Sequence, residues 1–183
     1  MKKICIITGN RSEYGIYYPI LNQIKKSKNL KLQIVATSSH LSESYGLTYK
    51  EIEKDGFMID HKIENLLSSN SCTSIVKSTG LAMFSLSDAF MHLSPDLVLL
   101  VGDRFETLAA ASTAILMNIP IAHIHGGEVT EGSIDEKIRH AITKMSSLHF
   151  TSTSVYRKRI IQMGENPKNV FVSGAPSIDN LKK

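Results

Sequence analysis

Short apolar runs rich in β-branched residues alternate with segments of helical apolar spacing along the whole chain. Residues 3–8 (KICIIT) carry no polar alternation, the pattern of a strand buried on both faces. A loop is expected over residues 9–14, then a helix over 16–26, where Ile16, Tyr17, Ile20, Leu21 and Ile24 share one face. Strands are predicted at 30–37, 57–63 (weak), 96–101, 120–124, 148–150 and 169–172. Helices are predicted at 43–54, 73–93, 104–117, 134–146 and 155–163. Asp55-Gly56 and Ser94-Pro95 act as stop signals. Repeated strand–helix alternation with short connections predicts an α/β fold, a doubly wound parallel Rossmann-like sheet. Such sheets bind ligands at the carboxyl ends of their strands.

The chain has 183 residues, enough for one domain with a real core. Its 21 basic and 17 acidic residues give a net charge of +4 with no basic stripe, so no nucleic-acid partner is expected. Arg157-Lys158-Arg159 reads as a solvated helix face. No apolar run reaches the roughly 18–20 residues of a membrane span. The apolar stretch behind Lys2 and Lys3 is too short for a signal-peptide core. Cys5 and Cys72 make neither a disulfide framework nor a zinc pattern. A cytoplasmic protein without a membrane partner is expected. The helix over 73–93 carries apolar residues on several faces (Val76, Phe84 and Met91 among them), so packing against a second subunit, as a dimer or tetramer, is expected.

Four polar, glycine-bearing segments should meet at the carboxyl edge. Gly9-Asn10-Arg11-Ser12-Glu13 follows the first strand and opens a helix, a place for an anion on free backbone N–H groups, with Arg11 as a clamp. It is neither a Walker loop nor a G-x-G-x-x-G fingerprint. The second segment, residues 37–40, ends in His40. In the third, Gly102-Asp103-Arg104, Asp103 is either a helix cap or an acid–base group. In the fourth, His123 and His125 are two apart and would share a strand face, spacing that suits a metal pair, although no third ligand stands at a familiar distance. Gly126-Gly127 lets the backbone approach a ligand, and Glu128 follows. On the next helix Asp135 faces Arg139 and Glu136 faces His140 at i,i+4. His61, His92 and His149 read as structural.

Taken in order, ITGNRSEYG (residues 7–15), SSHLSESYGLTY (38–49), GDRFETLAAASTA (102–114) and IPIAHIHGGEVTEGSIDEKIRHAITK (119–144) resemble the amino-terminal half of the hydrolysing UDP-N-acetylglucosamine 2-epimerases of sialic and legionaminic acid biosynthesis. GAPSIDNL (174–181) resembles the family's crossover into a second domain. The resemblance implies a glycosyltransferase-B arrangement, with residues 1–173 as the amino-terminal Rossmann-like domain and 174–183 as the start of the crossover. It implies no cofactor and no metal. The implied reaction converts UDP-N-acetylglucosamine and water to N-acetylmannosamine and UDP, by elimination to a 2-acetamidoglucal and hydration. As half of the enzyme, the chain is expected to be inactive alone. Two alternatives stand beside this: an epimerase of a UDP-2,4-diacetamido-2,4,6-trideoxyhexose, and a non-catalytic UDP-sugar-binding domain.

By the same resemblance, Asp103 matches the catalytic aspartate, and His123, Glu128, Asp135 and Glu136 match required or sugar-proximal positions. Arg11 and Arg104 match nucleotide-contacting arginines, and His40 matches a loop histidine. Arg139 and His140, on the helix of the acidic pair, are grouped with the substrate-binding residues. His125 stands where many members have Glu, which makes it a catalytic candidate. Val101 replaces the usual His, and Ile16 replaces the lysine of the non-hydrolysing branch.

Overall fold

The computed structural model describes residues 1–69 and 71–180. The strands are β1 (Lys2–Thr8), β2 (Leu30–Thr37), β3 (His61–Ile63), β4 (Leu97–Val101), β5 (Ile121–Ile124), β6 (Leu148–Thr151) and β7 (Val170–Val172). The helices are α1 (Arg11–Lys26), α2 (Tyr49–Lys54), α3 (Cys72–Leu93), α4 (Phe105–Leu116), α5 (Ile134–Met145), α6 (Ser154–Gln162) and α7 (Ser177–Asn180). All strands pair in parallel, in the order β3-β2-β1-β4-β5-β6-β7. The doubly wound Rossmann-like expectation holds. The order reverses between β1 and β4, and that switch point opens a crevice at their carboxyl ends.

One core lies between the sheet and α3, α4 and α5, built on Cys5, Val35, Leu86, Phe90, Val98, Leu100, Ala110 and Ala114. The alanines of α4 let it sit close to the strands. The other core packs Tyr17, Leu21 and Ile24 of α1 on Ile6, Ile34 and Leu99. Each strand feeds both cores, which is why β1 and β4 read as unbroken apolar runs. On the α1 face, Leu99, Ala122, Ile124 and Phe150 line an apolar groove of about 710 Å³. The acid–base candidates lie elsewhere, beside a smaller polar cavity at the carboxyl edge.

Three local expectations are corrected. The loop expected over 9–14 is helical from Arg11, because the Asn10 side chain caps α1 by accepting from the Glu13 N–H at 3.0 Å. The helix expected over 43–54 is broken: a 3-10 turn at Glu43–Tyr45 ends on Gly46 at φ +80°, Leu47 follows at +50°, and α2 starts only at Tyr49. The strand expected over 57–63 is confined to His61–Ile63; Phe57 is buried outside it and Met58 is exposed. Beyond β7, α7 packs on α1. The end of the crossover segment, residues 181–183, lies outside the described residues.

Candidate active site

The first strand end borders a polar pocket. Gly9 donates its N–H to Glu13 Oε2 at 2.7 Å, and Asn10 caps α1, so the amino-terminal dipole of α1 faces the crevice. A cavity of about 410 Å³ lies there, lined by Asn10, Arg11, Ser12, Ser39, Thr48 and Arg104, with Tyr45 beside them. Arg11 is exposed and pairs with Glu51 of α2 at 2.9 Å. Arg104 makes two 3.1 Å bonds to Glu106 and lies 3.9 Å from Glu13. Both glutamates are buried.

His40 is fully buried beneath this pocket. Its Nε2 lies 3.0 Å from Thr8 Oγ1, its Nδ1 lies 2.7 Å from Thr48 Oγ1, and its N–H donates to Gly9 O. Burial pushes its pKa down to about 4, so the ring is neutral near pH 7. With both ring nitrogens engaged inside the protein, His40 ties the β1–α1 loop to the segment before α2.

The acid–base candidates gather at the ends of β4 and β5. Asp103 is paired with Arg139 of α5, which also donates to Thr130 Oγ1 at 3.2 Å. The cap reading of Asp103 is therefore corrected: the residue at the cap of α4 is Arg104, and no side chain bonds there. The expected Asp135–Arg139 pair is also absent. Asp135 instead accepts from Ser133 Oγ at 2.8 Å at the start of α5, and its field reaches Arg104. Glu136 and His140 do pair, at 3.7 Å.

His123 and His125 part company. β5 stops at Ile124, and His125 turns to φ +64°, so the shared-face expectation fails. His123 stays inside, its Nε2 2.7 Å from Gly102 O and its Nδ1 3.2 Å from Thr143 Oγ1. Burial pushes its pKa down to about 4. It thus pins the Gly102-Asp103 turn from below. His125 faces outward enough to be partly exposed, and its Nδ1 lies 2.8 Å from Glu128 Oε1. An ionised carboxylate only accepts, so this contact puts a proton on Nδ1 and leaves Nε2 directed elsewhere. Ser152 donates to the same Glu128 oxygen at 2.7 Å. Partial burial works against the Glu128 charge, but the bonds from His125 and Ser152 outweigh it and hold its pKa below the usual range. Among the described residues, no cluster of three or more His, Cys, Asp or Glu side chains could hold a metal ion.

The family model for UDP-N-acetylglucosamine 2-epimerases matches residues 22–183. The chain belongs to this epimerase family. A Campylobacter jejuni relative, a GDP/UDP-N,N'-diacetylbacillosamine 2-epimerase (hydrolyzing), is 49% identical over 95% of this chain and 45% of its own length. A Legionella pneumophila UDP-N,N'-diacetylbacillosamine 2-epimerase (hydrolyzing) is 40% identical over 99% of this chain and 48% of its own length. The chain thus spans about half the length of the curated relatives it matches. The crystal structure of the Neisseria meningitidis UDP-GlcNAc 2-epimerase bound to UDP-GlcNAc superposes with a TM-score of 0.86 at 24% identity, covering 100% of this chain and 49% of that one. That likeness shows the fold alone, a Rossmann-like unit that matches about half of that chain.

Several residues that hold these strand ends together carry little signal in the sequence. Glu13 had a usable signal: Asn-x-x-Glu directly after a strand is a capping-box pattern, although Glu13 accepts from the N–H of Gly9, one residue before the Asn10 cap. Glu106, Thr130, Thr143 and Ser152 had none, because their roles depend on contacts across the fold. Arg159, expected on a solvated face, reaches back to donate to Gly127 O.

Proposed function

We propose that this chain is the catalytic amino-terminal half of a hydrolysing UDP-sugar 2-epimerase, with residues 1–173 as its Rossmann-like domain and 174–183 opening the crossover to a second. The observation that carries this reading is the adjacency, at one sheet edge, of an anion pocket and separately held acid–base groups. Expulsion of UDP from C1 needs cationic stabilisation, which Arg11, Arg104 and the start of α1 supply. A base takes the C2 proton, the C1–O bond electrons leave with UDP, and a C1=C2 bond forms. Water then adds to C1 while a proton returns to the other face of C2. Two positioned groups on opposite faces are required. His125, oriented by Glu128, serves one face. Asp103, held by Arg139, serves the other, with Asp135 and Glu136 close by on α5. His40 and His123 act as positioning residues, and His140 orients Glu136.

The sugar we favour is a UDP-2,4-diacetamido-2,4,6-trideoxyhexose, on the route to legionaminic acid, because two relatives at 49% and 40% identity are named for nucleotide-linked N,N'-diacetylbacillosamine, a sugar of that class. UDP-N-acetylglucosamine, leading to N-acetylmannosamine and sialic acid, is the second reading. We place the enzyme in the cytoplasm, a reducing compartment that suits the free, exposed thiol of Cys72. We also assign α3 as the face for a second copy.

The test offers both sugars to the complete gene product in D₂O. The expected result is UDP release and a free 2-epimerised sugar carrying one deuterium at C2, with faster turnover of the diacetamido sugar. This chain alone should release no UDP. Binding of UDP-sugar by the complete protein without release would favour the non-catalytic reading instead.

A further inference from the structure

Behind Arg104, which lines the polar pocket, stand two buried carboxylates, the wrong charge for an anion. Glu13 and Glu106 are both buried, and Arg104 is the cation set between them, bonded twice to Glu106 and 3.9 Å from Glu13. Glu13 Oε1 has no hydrogen-bond partner, although it is shut off from solvent. A buried, ionised oxygen with no donor is far more costly than a protonated one. The Gly9 backbone lies against the same cluster: a Cβ there would sit 3.4 Å from the Glu106 carboxyl, in ordinary contact.

We propose that Glu13 is a proton-coupled positioning residue: it takes up a proton when a diphosphate engages Arg104, so ligand binding draws a proton into the protein. The proposal rests on the reading of this pocket as a diphosphate site. An anion on Arg104 competes with both carboxylates for the same positive charge, and two ionised glutamates then face each other uncompensated. Protonating Glu13 removes the conflict and leaves Arg104 doubly bonded to Glu106, in one orientation. The groups that face Glu13 are few. They are the Gly9 N–H and Asn10 from the β1–α1 loop, Tyr17 from its own helix, Arg104 before α4 and Glu106 within it. Asp135 of α5 adds further negative charge on the far side of Arg104. In the free protein, burial chiefly, opposed by the Gly9 N–H bond and reinforced by Glu106, pushes the Glu13 pKa up to about 7. The proton is therefore close at hand near neutrality.

The test is calorimetry of UDP binding to the complete gene product at pH 8, in buffers of different ionisation heat, which counts protons. UDP itself is fully ionised there, as phosphate monoesters have a second pKa of about 6. The native protein should take up about half to one proton per UDP, and its Kd should rise up to about tenfold per pH unit above 7. Glu13→Gln, which mimics the protonated acid, should bind UDP with no uptake and a flat pH profile. Infrared difference spectra of the native protein should show a protonated-carboxyl band appearing as UDP is added, a readout independent of any variant. UDP binding without uptake, or uptake that survives in E13Q, overturns the proposal and leaves the diphosphate reading standing. Failure of the native protein to bind UDP overturns that reading as well.

Discussion

In the proposed reaction, Asp103 is the residue on which the chemistry turns. It closes β4, is only slightly exposed, and meets the Arg139 guanidinium from α5. That pairing aims the carboxylate, while His123 fixes the preceding Gly102 carbonyl at 2.7 Å. Asp103→Asn keeps the shape and removes the proton acceptor. It should lower kcat by about 10²–10⁴-fold, the usual worth of one acid–base group, with UDP affinity nearly unchanged. Steady-state kinetics and calorimetry on the complete gene product separate the two. Equal loss of turnover and binding would make Asp103 a structural partner of Arg139. The residue scale is also where sequence reasoning was least sufficient. Arg139 was paired with Asp135 by its i,i+4 spacing, yet it reaches Asp103, 36 positions away in the chain. Spacing sees a residue's own helix; the stronger partner came from another element.

At the scale of elements, the glycine loop between β5 and α5 carries the geometry of the second acid–base group. Gly127 adopts φ +75°, and a Cβ there would lie 2.8 Å from both Ile160 Cγ1 and the Tyr156 carbonyl. α6 is packed directly on this loop, and Arg159 of α6 also bonds Gly127 O. Gly127→Ala therefore meets a backbone atom as well as an unfavourable φ. We expect a loss of roughly 1–3 kcal/mol from overpacking, or more with the backbone strain, read by urea denaturation. Because His125 and Glu128 sit on the same loop, turnover should fall further than stability predicts. Elements were the most legible scale in the sequence. β1, β4 and α3 were found within a residue or two, since long unbroken apolar runs and sustained helical periodicity admit one solution each. The 43–54 segment failed because its helical pattern crosses Gly46 and Leu47, whose positive φ values no periodicity reveals. The site was legible as four strand ends but not as a network, because Glu106 and Ser152 acquire meaning only once α4 and β6 are in place.

On the whole molecule, α3 presents one apolar stripe outward. Val76, Phe84 and Met91 are 70%, 74% and 69% exposed, while Ala82 and Ala89 are buried on the opposite side. At 3.6 residues per turn, the three lie within about 80° of one another. Assigned to a second copy, this stripe predicts that Phe84→Glu halves the mass in sedimentation while changing stability by no more than about 0.5 kcal/mol. An unchanged mass would remove the assignment. A second whole-molecule consequence comes from buried titratable groups of opposite sign. His40 and His123, with pKa values lowered to about 4 from 6.5, resist protonation in the fold. Their stabilisation is complete above about 6.5 and is lost as pH falls toward 4. Glu13, raised from 4.5 to about 7, resists ionisation instead, so its contribution is lost as pH rises through the same interval. Integrating proton linkage from pH 5 to 6.5, the two histidines add about 3 kcal/mol and Glu13 removes about half of that. Stability should thus climb by about 1.5 kcal/mol over this range and flatten above it. Burial also lowers the His149 pKa, which adds to the climb in the same direction. Glu13→Gln removes only the opposing member, so its climb should be about twice as steep, measured as the urea midpoint at half-unit pH steps. Parallel profiles for the two proteins would mean that Glu13 is ionised throughout, and that Arg104 alone compensates both carboxylates.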